Sequence, residues 1–335
     1  MSAPPSPPPA FDPGFALAPE SPGRPLDPNR LYDVLVLGAG PAGIAAAVYL
    51  MRKGLAVGVV ARELGGQVAW AAGITNYPGF RLVDGAGLVA RFREQVAELA
   101  PDVGLGLEVT GVGGAAGRFT VAAGGAMYAA RALVVATGKR PLRLGVPGEE
   151  RLTGRGVAYC ATCDAPLYRG RVVGVAGGGN SGIESAIDLA GTASRVHLFQ
   201  DLDRLAGDEV LERAVRRLPQ VETHLGWRVV EVLGEEGVRG VRVRAAAGGA
   251  EREVPLDGLF VEVGLAPNSE AFRGLLALNA RGEIPVDGGC RTAVPGVFAA
   301  GDVTDVPWKQ IVVAAGEGAK AALSAHEWLL RQPGS

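Results

Sequence analysis

Two cysteines three residues apart, Cys160 and Cys163 in the run Cys-Ala-Thr-Cys, are the residues of this 335-residue sequence best suited to reversible bond chemistry. A C-x-x-C spacing lets two sulfurs form and break a disulfide, and it lowers one thiol pKa so that exchange is fast near neutral pH. Asp164 follows the pair directly and is a candidate proton donor or acceptor for a thiolate, with a capping or surface aspartate as the plainer reading. The pair could instead hold zinc, which needs two further ligands, or be two unpaired structural thiols. Cys290 and the histidines His197, His224 and His326 are not spaced as a zinc knuckle. No metal is therefore expected, Cys290 reads as a packing cysteine, and a reversible dithiol is the preferred reading. Three cysteines are too few for a disulfide-rich secreted scaffold and suit a reducing compartment.

Two glycine-rich turns supply a second kind of chemistry. Gly38, Gly40 and Gly43 form a G-x-G-x-x-G between an apolar strand at 32–37 and a helix running to Arg52, with a second strand at 56–61. Gly177, Gly179 and Gly182 repeat the pattern between a strand at 171–176 and a helix ending near Ala190, followed by a strand at 195–200. In that context the first glycine permits the tight turn, the second lets a pyrophosphate approach, and the third lets helix and strand pack closely. The helix N-terminus then faces the phosphates. Either turn alone also occurs without a ligand; together they predict two nucleotide sites, or one site and its relic. The acid after the second strand reads the ribose hydroxyls. In the first unit only Glu63 is available. In the second, Asp201 suits a free 2′-hydroxyl and repels a 2′-phosphate, and no arginine occurs between Phe199 and Asp203, so NADH is favoured over NADPH.

The elements that must position these residues are α/β. Short strands are predicted at 103–107, 119–123 and 133–136, an antiparallel pair at 227–233 and 238–244, and a final helix at 317–331. That helix carries Ala321, Ala322, Ala325, Trp328 and Leu329 on one face. Residues 1–30 hold 10 of the 23 prolines and read as a disordered tail, with order beginning at Leu31. The longest uncharged run, 34–51, is broken early by Gly38, Gly40, Pro41 and Gly43, so it is strand, turn and helix, and no membrane span is expected. The N-terminus has no basic residue before Arg24 and no apolar core, so no secretory signal is expected, and a cytoplasmic protein is. A formal net charge of −2, from 33 basic and 35 acidic residues, gives no attraction to a polyanion and argues against a nucleic-acid partner. Basic residues are 29 arginines and 4 lysines, which reads as coding bias.

Several segments in order, GAGPAG, GGQ at 65–67, TNYPG at 75–79, VVATG at 134–138, GVAYCATCDAPLY at 156–168, GGGNSGIESAIDLA at 177–190 and GVFAAGDVTDVPWKQIVVAAGEGAKAA at 296–322, resemble the low-molecular-weight thioredoxin reductases. The sequence is more similar still to the flavoprotein subunit of alkyl hydroperoxide reductase without its N-terminal thioredoxin-like domains, over nearly all of 31–331. The resemblance implies two Rossmann-like domains. An FAD domain at 31–140 and 265–331 is interrupted by an NAD(P) domain at 141–264 carrying the cysteines, and residues 138–141 and 264–267 are hinge segments.

By that likeness FAD lies on Gly38, Gly40 and Gly43, with Glu63, Gly65, Gly66, Gln67, Asn76, Thr137 and Gly138 along it. Gly301 and Asp302 hold the ribityl chain, and Gln310 faces the ring. Pyridine nucleotide lies on Gly177, Gly179 and Gly182. Gln200, Asp201 and Leu202 stand where NADPH-dependent members carry His-Arg-Arg, and NADH-using members tend to have Glu at Gln200; Asp201, one place on, is the candidate substitute. The implied activity is a flavin disulfide reductase with catalytic Cys160, Cys163 and Asp164, commonly a homodimer. With only thirty residues before the first strand, a separate thioredoxin or glutaredoxin-like carrier is the expected partner. The alternatives are a flavoprotein that does not use NAD(P)H efficiently, one that serves another acceptor such as ferredoxin, or a non-catalytic redox sensor.

Overall fold

In the computed structural model the described residues are 23–71 and 73–332. The chain opens with strand β1 (Arg24–Pro25), β2 (Leu31–Ala39), helix α1 (Pro41–Arg52), β3 (Val57–Leu64) and α2 (Gly85–Leu99). β4 (Asp102–Gly104), β5 (Val109–Ala115), β6 (Arg118–Ala123), β7 (Ala126–Val135) and β8 (Lys139–Pro141) follow. Next come α3 (Glu149–Leu152), β9 (Val157–Ala158), α4 (Ala161–Asp164), β10 (Val172–Ala176), α5 (Asn180–Ala190), β11 (Arg195–Gln200), α6 (Glu209–Val215) and β12 (Val221–Leu225). β13 (Trp227–Leu233), β14 (Gly240–Ala245), β15 (Glu251–Pro255), β16 (Gly258–Val261), β17 (Leu265–Pro267), β18 (Val297–Ala299) and α7 (Ile311–Leu330) complete it.

Two sheets organise these elements. The first runs β1-β4-β3-β2-β7-β6-β5, with β18 also on β7, so it takes strands from both ends of the chain. The second, β12-β11-β10-β16-β9, is parallel throughout and comes wholly from the middle. β2 is apolar at nearly every position because a central parallel strand is covered on both faces. Val34 and Val36 pack with Ala46 and Leu50 of α1 and Ala321 and Ala325 of α7, while Leu35 and Leu37 pack with Phe119 and Val135 on the other side. α1 starts on Pro41, whose missing N–H costs nothing at a helix start, and ends before Gly54, at φ +76°.

The expected helix at the C-terminus is longer than its apolar pattern indicated, beginning at Ile311. β5 and β15 were not anticipated: β5 (VTGVGGA) is glycine-rich and β15 (EREVP) largely charged, so both lack the alternation that marks a strand. The tail reading is corrected over its described part. β1 pairs with β4, and the buried Asp102 carboxylate accepts from Arg24 Nε at 3.0 Å, Arg30 Nη1 at 2.8 Å and Tyr32 Oη at 3.0 Å. Proline content carries no trace of a carboxylate seventy residues away. Residues 1–22 of that reading lie outside the described residues.

The segments 138–141 and 264–267 meet as an antiparallel ribbon, β8 against β17, with Leu265 opposite Pro141 and Pro267 opposite Lys139. α7 presses on α1 where Gly318 faces Ala42. A Cβ at Gly318 would lie 2.0 Å from the Ala42 carbonyl oxygen, so only glycine permits that approach. Alanine is the better helix former by about 1 kcal/mol and would stabilise an unconstrained helix. Gly318→Ala should instead lower the melting temperature, because α7 must move off α1; a rise would contradict the packing described here.

Candidate active site

Both glycine turns carry out the division of labour their sequence implies. Gly38 has φ +110° and Gly177 φ +120°, a left-handed region that bars other side chains. A Cβ on Gly43 would sit 1.9 Å from the Gly38 carbonyl oxygen, and one on Gly182 would sit 1.8 Å from that of Gly177. The middle glycines face open space: nothing lies nearer than 3.9 Å to a Cβ on Gly40, and nothing within 4 Å of one on Gly179. Each turn is thus closed behind and open in front, with α1 or α5 starting at its edge.

The first turn opens into a cavity of about 990 Å³, at the upper end of the about 300–1,000 Å³ of small-molecule and cofactor sites. Gly38, Gly40, Glu63, Gly65, Gly66, Gln67, Thr137, Gly138, Gly301, Asp302 and Gln310 line it, together with Cys160, Cys163 and Asp164. Gly43 stands behind the turn. Asn76 is off the lining but donates from Nδ2 to Gln310 Oε1 at 3.0 Å, and Gln67 Nε2 donates to the Lys139 carbonyl at 2.6 Å. Gly177, Gly179, Gly182 and Asp201 are not on this cavity. At the second turn the Gln200 side chain lies against Gly178, 2.8 Å from where a Cβ would be, and exposed Asp201 follows.

Cys160 and Cys163 form a disulfide with Cα atoms 5.3 Å apart, Cys160 at the N-cap of α4 and Cys163 within it. Asp164 ends that helix. Burial pushes its carboxyl up to about 7, and its Oδ1 is buried without a hydrogen-bond partner. Such a group keeps its proton near neutrality and has it to give. Burial also raises the carboxyl of Asp302, against the opposing pull of Lys309 and Lys139.

Sequence reasoning missed the residues that set this charge pattern. Lys139 Nζ bonds Glu283 Oε1 at 2.6 Å, and Lys309 Nζ donates to the Thr304 carbonyl at 2.6 Å while lying 3.9 Å from Glu283. Burial works against ionised Glu283, but donors from Asn279, Lys139 and Arg281 outweigh it and hold the carboxyl down at about 2. Asn268 pairs with Thr137 in both directions, at 2.7 and 2.8 Å. A usable signal existed: Lys139 and Lys309 are two of only four lysines in an arginine-rich sequence, and both line the cavity.

Cys290 is buried, its thiol pushed up to about 11 by that burial, as suits a packing residue. Two histidines that are scattered in the sequence meet in the fold: His197 Nδ1 and His224 Nε2 stand 2.9 Å apart with Glu222 beside them. Arg252 Nη2 is 2.8 Å from His224 Nδ1. A guanidinium only donates, so the His224 proton sits on Nε2 and closes the gap to His197 as a hydrogen bond.

The fit to a dinucleotide at the first turn rests on the open face at Gly40, the positive φ at Gly38 and the Asp302 carboxyl that lines the same cavity. The pyridine nucleotide-disulphide oxidoreductase profile matches residues 32–318. The chain belongs to that family. It is 45% identical over 312 residues to the F subunit of alkyl hydroperoxide reductase from Pseudomonas putida and 45% identical over 308 residues to that from Xanthomonas campestris pv. phaseoli. These alignments cover 91% and 90% of this chain but 60% and 58% of the relatives, so the chain spans about 60% of their length. Thioredoxin reductase from Streptococcus pyogenes superposes with a TM-score of 0.86 at 32% identity, covering 91% of this chain and 100% of that one. That from Lactococcus lactis, in its FR conformation, gives 0.63 at 30% identity, covering 90% and 100%. The chain is therefore an oxidoreductase and flavoprotein of two Rossmann-like units with a redox disulfide, and its family implies FAD and a nicotinamide cofactor. Among the described residues no helix is long and apolar enough to cross a membrane.

A carboxyl whose folded-state pKa is raised binds a proton on folding, so its stabilising effect is full below its ordinary pKa and is lost as pH rises through the folded value. For Asp164 that window runs from 3.8 to about 7. Asp164→Asn should flatten the fall in melting temperature across this window and leave the protein more stable than wild type at pH 8; parallel pH profiles would contradict the burial described.

Proposed function

We propose that the chain is a flavin-dependent disulfide reductase, passing electrons from NAD(P)H, with NADH preferred, through Cys160 and Cys163 to the disulfide of a thioredoxin- or glutaredoxin-like protein. The observation that carries this reading is that the Cys160–Cys163 disulfide lines the same cavity as the Gly38 turn. Bound there, FAD supplies a two-electron donor that a nicotinamide nucleotide can recharge. Gly38 and Gly40 would hold the pyrophosphate, with α1 presenting its N-terminus. Glu63 would reach the ribose, Asp302 the ribityl hydroxyls, and Gln67, Asn76 and Gln310 the ring.

Cys163 takes the flavin side and Cys160 the acceptor side. Once the pair is reduced, Asp164 gives its proton to the Cys163 sulfur. The Cys160 thiolate then attacks one sulfur of the carrier's disulfide, displacing the other as a thiolate. Cys163 returns its proton to Asp164 and as a thiolate displaces the carrier's sulfur from Cys160, which restores the internal disulfide; the two carrier thiolates take protons from solvent to give the dithiol.

A half-buried disulfide that lines the cavity must turn outward to meet a protein. We assign 31–140 with 265–331 to the flavin unit and 141–264 to the nucleotide unit, turning about the β8–β17 ribbon. Support comes from relatives of near-equal identity whose TM-scores are 0.86 and 0.63, the spread expected of similar halves at different relative angles. A homodimer in the cytoplasm is part of the same reading. A second reading, in which the flavoprotein uses NAD(P)H poorly or serves an acceptor such as ferredoxin, draws on Gln200 lying across Gly178, where a nucleotide would approach.

Cys160→Ser should abolish NADH-dependent reduction of thioredoxin-fold carriers while leaving flavin bleaching by NADH intact; undiminished carrier reduction would sink the dithiol route. Catalytic efficiency should favour NADH over NADPH by about tenfold or more, the effect of roughly 1.4 kcal/mol of phosphate repulsion by Asp201. Asp201→Arg should move that ratio towards NADPH, and a wild-type preference for NADPH would overturn the assignment.

A further inference from the structure

Two of the three histidines in the sequence are neighbours in the fold, away from the cavity that holds the cysteines. In the parallel pair β11–β12, His197 stands opposite Glu222 and Phe199 opposite His224. Residues two apart on a strand share a face, and so do residues directly opposite on neighbouring strands. His197, Phe199, Glu222 and His224 therefore project from one face of the sheet. Val196 and Leu198 face the other way, into the core with Ile183 and Leu189 of α5. Phe199 packs with Val229 and Val243, so the histidine face is the one beneath the sheet β13-β14-β15.

Three polar side chains converge on that face. His197 Nδ1 lies 2.9 Å from His224 Nε2 and 3.5 Å from Glu222 Oε2, and His224 Nε2 lies 3.7 Å from Glu222 Oε1. A tetrahedral ion with bonds of about 2.0–2.2 Å holds its ligand atoms about 3.3–3.6 Å apart. The triangle already has that size except at the nitrogen pair, which would open by about half an ångström. Both rings are buried, and Phe199 stacks on His224 with ring centroids 4.9 Å apart, so the rings are held in place. Glu222 is half exposed on the edge strand of its sheet, which leaves an entry path and a fourth position for water. Burial also favours the neutral form of both rings, the form that ligates.

We propose that His197, His224 and Glu222 form a binding site for one divalent transition-metal ion of the zinc class, which clips edge strand β12 to β11. Two imidazoles and a carboxylate with an open fourth position are a donor set that zinc accepts. Knuckle spacing along the chain does not reveal it, because the ligands come from two strands paired by the fold. In the metal-free protein the proton on His224 Nε2 fills the place of the ion. Coordination moves that proton to Nδ1, where Arg252 Nη2 is 2.8 Å away and two donors then oppose each other. Arg252 is exposed, stacked over the Trp227 ring at 4.5 Å, and must swing into solvent. Arg195, 3.9 Å from Glu222 Oε2, gives up its share of that carboxylate. The two arginines thus hold the affinity down.

This inference does not rest on the proposed function: its test keeps the cysteine pair as a disulfide and reads no turnover. Calorimetric titration of the untagged, flavin-loaded protein with zinc chloride at neutral pH should give one ion per chain. X-ray absorption at the zinc edge should show nitrogen and oxygen at about 2.0–2.1 Å, with the outer-shell pattern of two imidazoles. Glu222→Gln, at an exposed position, should weaken binding about tenfold or more, and His224→Ala should abolish it. Arg252→Gln, which removes the opposing charge and offers Nδ1–H an acceptor, should tighten binding about tenfold. His326→Asn should leave the affinity unchanged. Absence of binding, a sulfur shell at about 2.3 Å or a site lost with His326 would overturn the proposal. So would equal affinity in wild type and Glu222→Gln, or affinity unchanged or lower in Arg252→Gln. Those two surface variants decide the matter even if the buried His224→Ala variant does not fold.

Discussion

The carbonyl oxygens of Gly38 and Gly177 lie less than 2 Å from where Gly43 and Gly182 would each begin a side chain. That contact fixes how closely α1 and α5 follow their strands, and the remaining geometry depends on it. It aims each helix N-terminus at the open face of its turn, where backbone N–H groups have no partner in the protein. It also sets the distance from α1 to α7, because Ala42, in the first turn of α1, meets Gly318 of α7 and Gly301 of the Asp302 turn. The Gly301 N–H in turn donates to the buried Glu317 carboxylate at 2.9 Å, so a turn, two helices and a cavity acid form one packed unit.

Around that unit, carboxylates divide by whether burial is answered. Glu283 has three donors, Lys139 among them, with Lys309 also close by, and stays ionised. Asp164 has no donor for its inner oxygen and Glu262 has only neutral ones, so both are pushed towards holding a proton at neutral pH. Desolvation against available hydrogen bonds decides the sign in each case. The outcome places a fixed charge on one side of the molecule's flavin unit and a proton-bearing acid at the end of the cysteine helix, which suits chemistry in which electrons and protons must move together.

Much of the scaffold was legible residue by residue. The helix from Pro41 to Arg52 and the strand at 195–200 sit where the sequence puts them, because an unbroken apolar run meeting a glycine turn is a local signal. β5 and β15 were not legible, since glycine and charge disguise them and only their partners β6 and β14 make them strands. The first turn of α7 escaped because Ile311 is covered by Val68 and Val89 from elsewhere in the chain, not by the helix's own periodicity.

The sequence alone determined the two glycine turns, the cysteine pair and the acid beside it, because each is written within six residues and depends on backbone sterics or sulfur chemistry. Only the tertiary structure decided that the cysteines face the first turn and not the second, and that Lys139 meets Glu283. Those pairings join residues about 100 positions apart or more, and their energies come from burial and from the scarcity of alternative partners. Neither exists until the chain has closed around them.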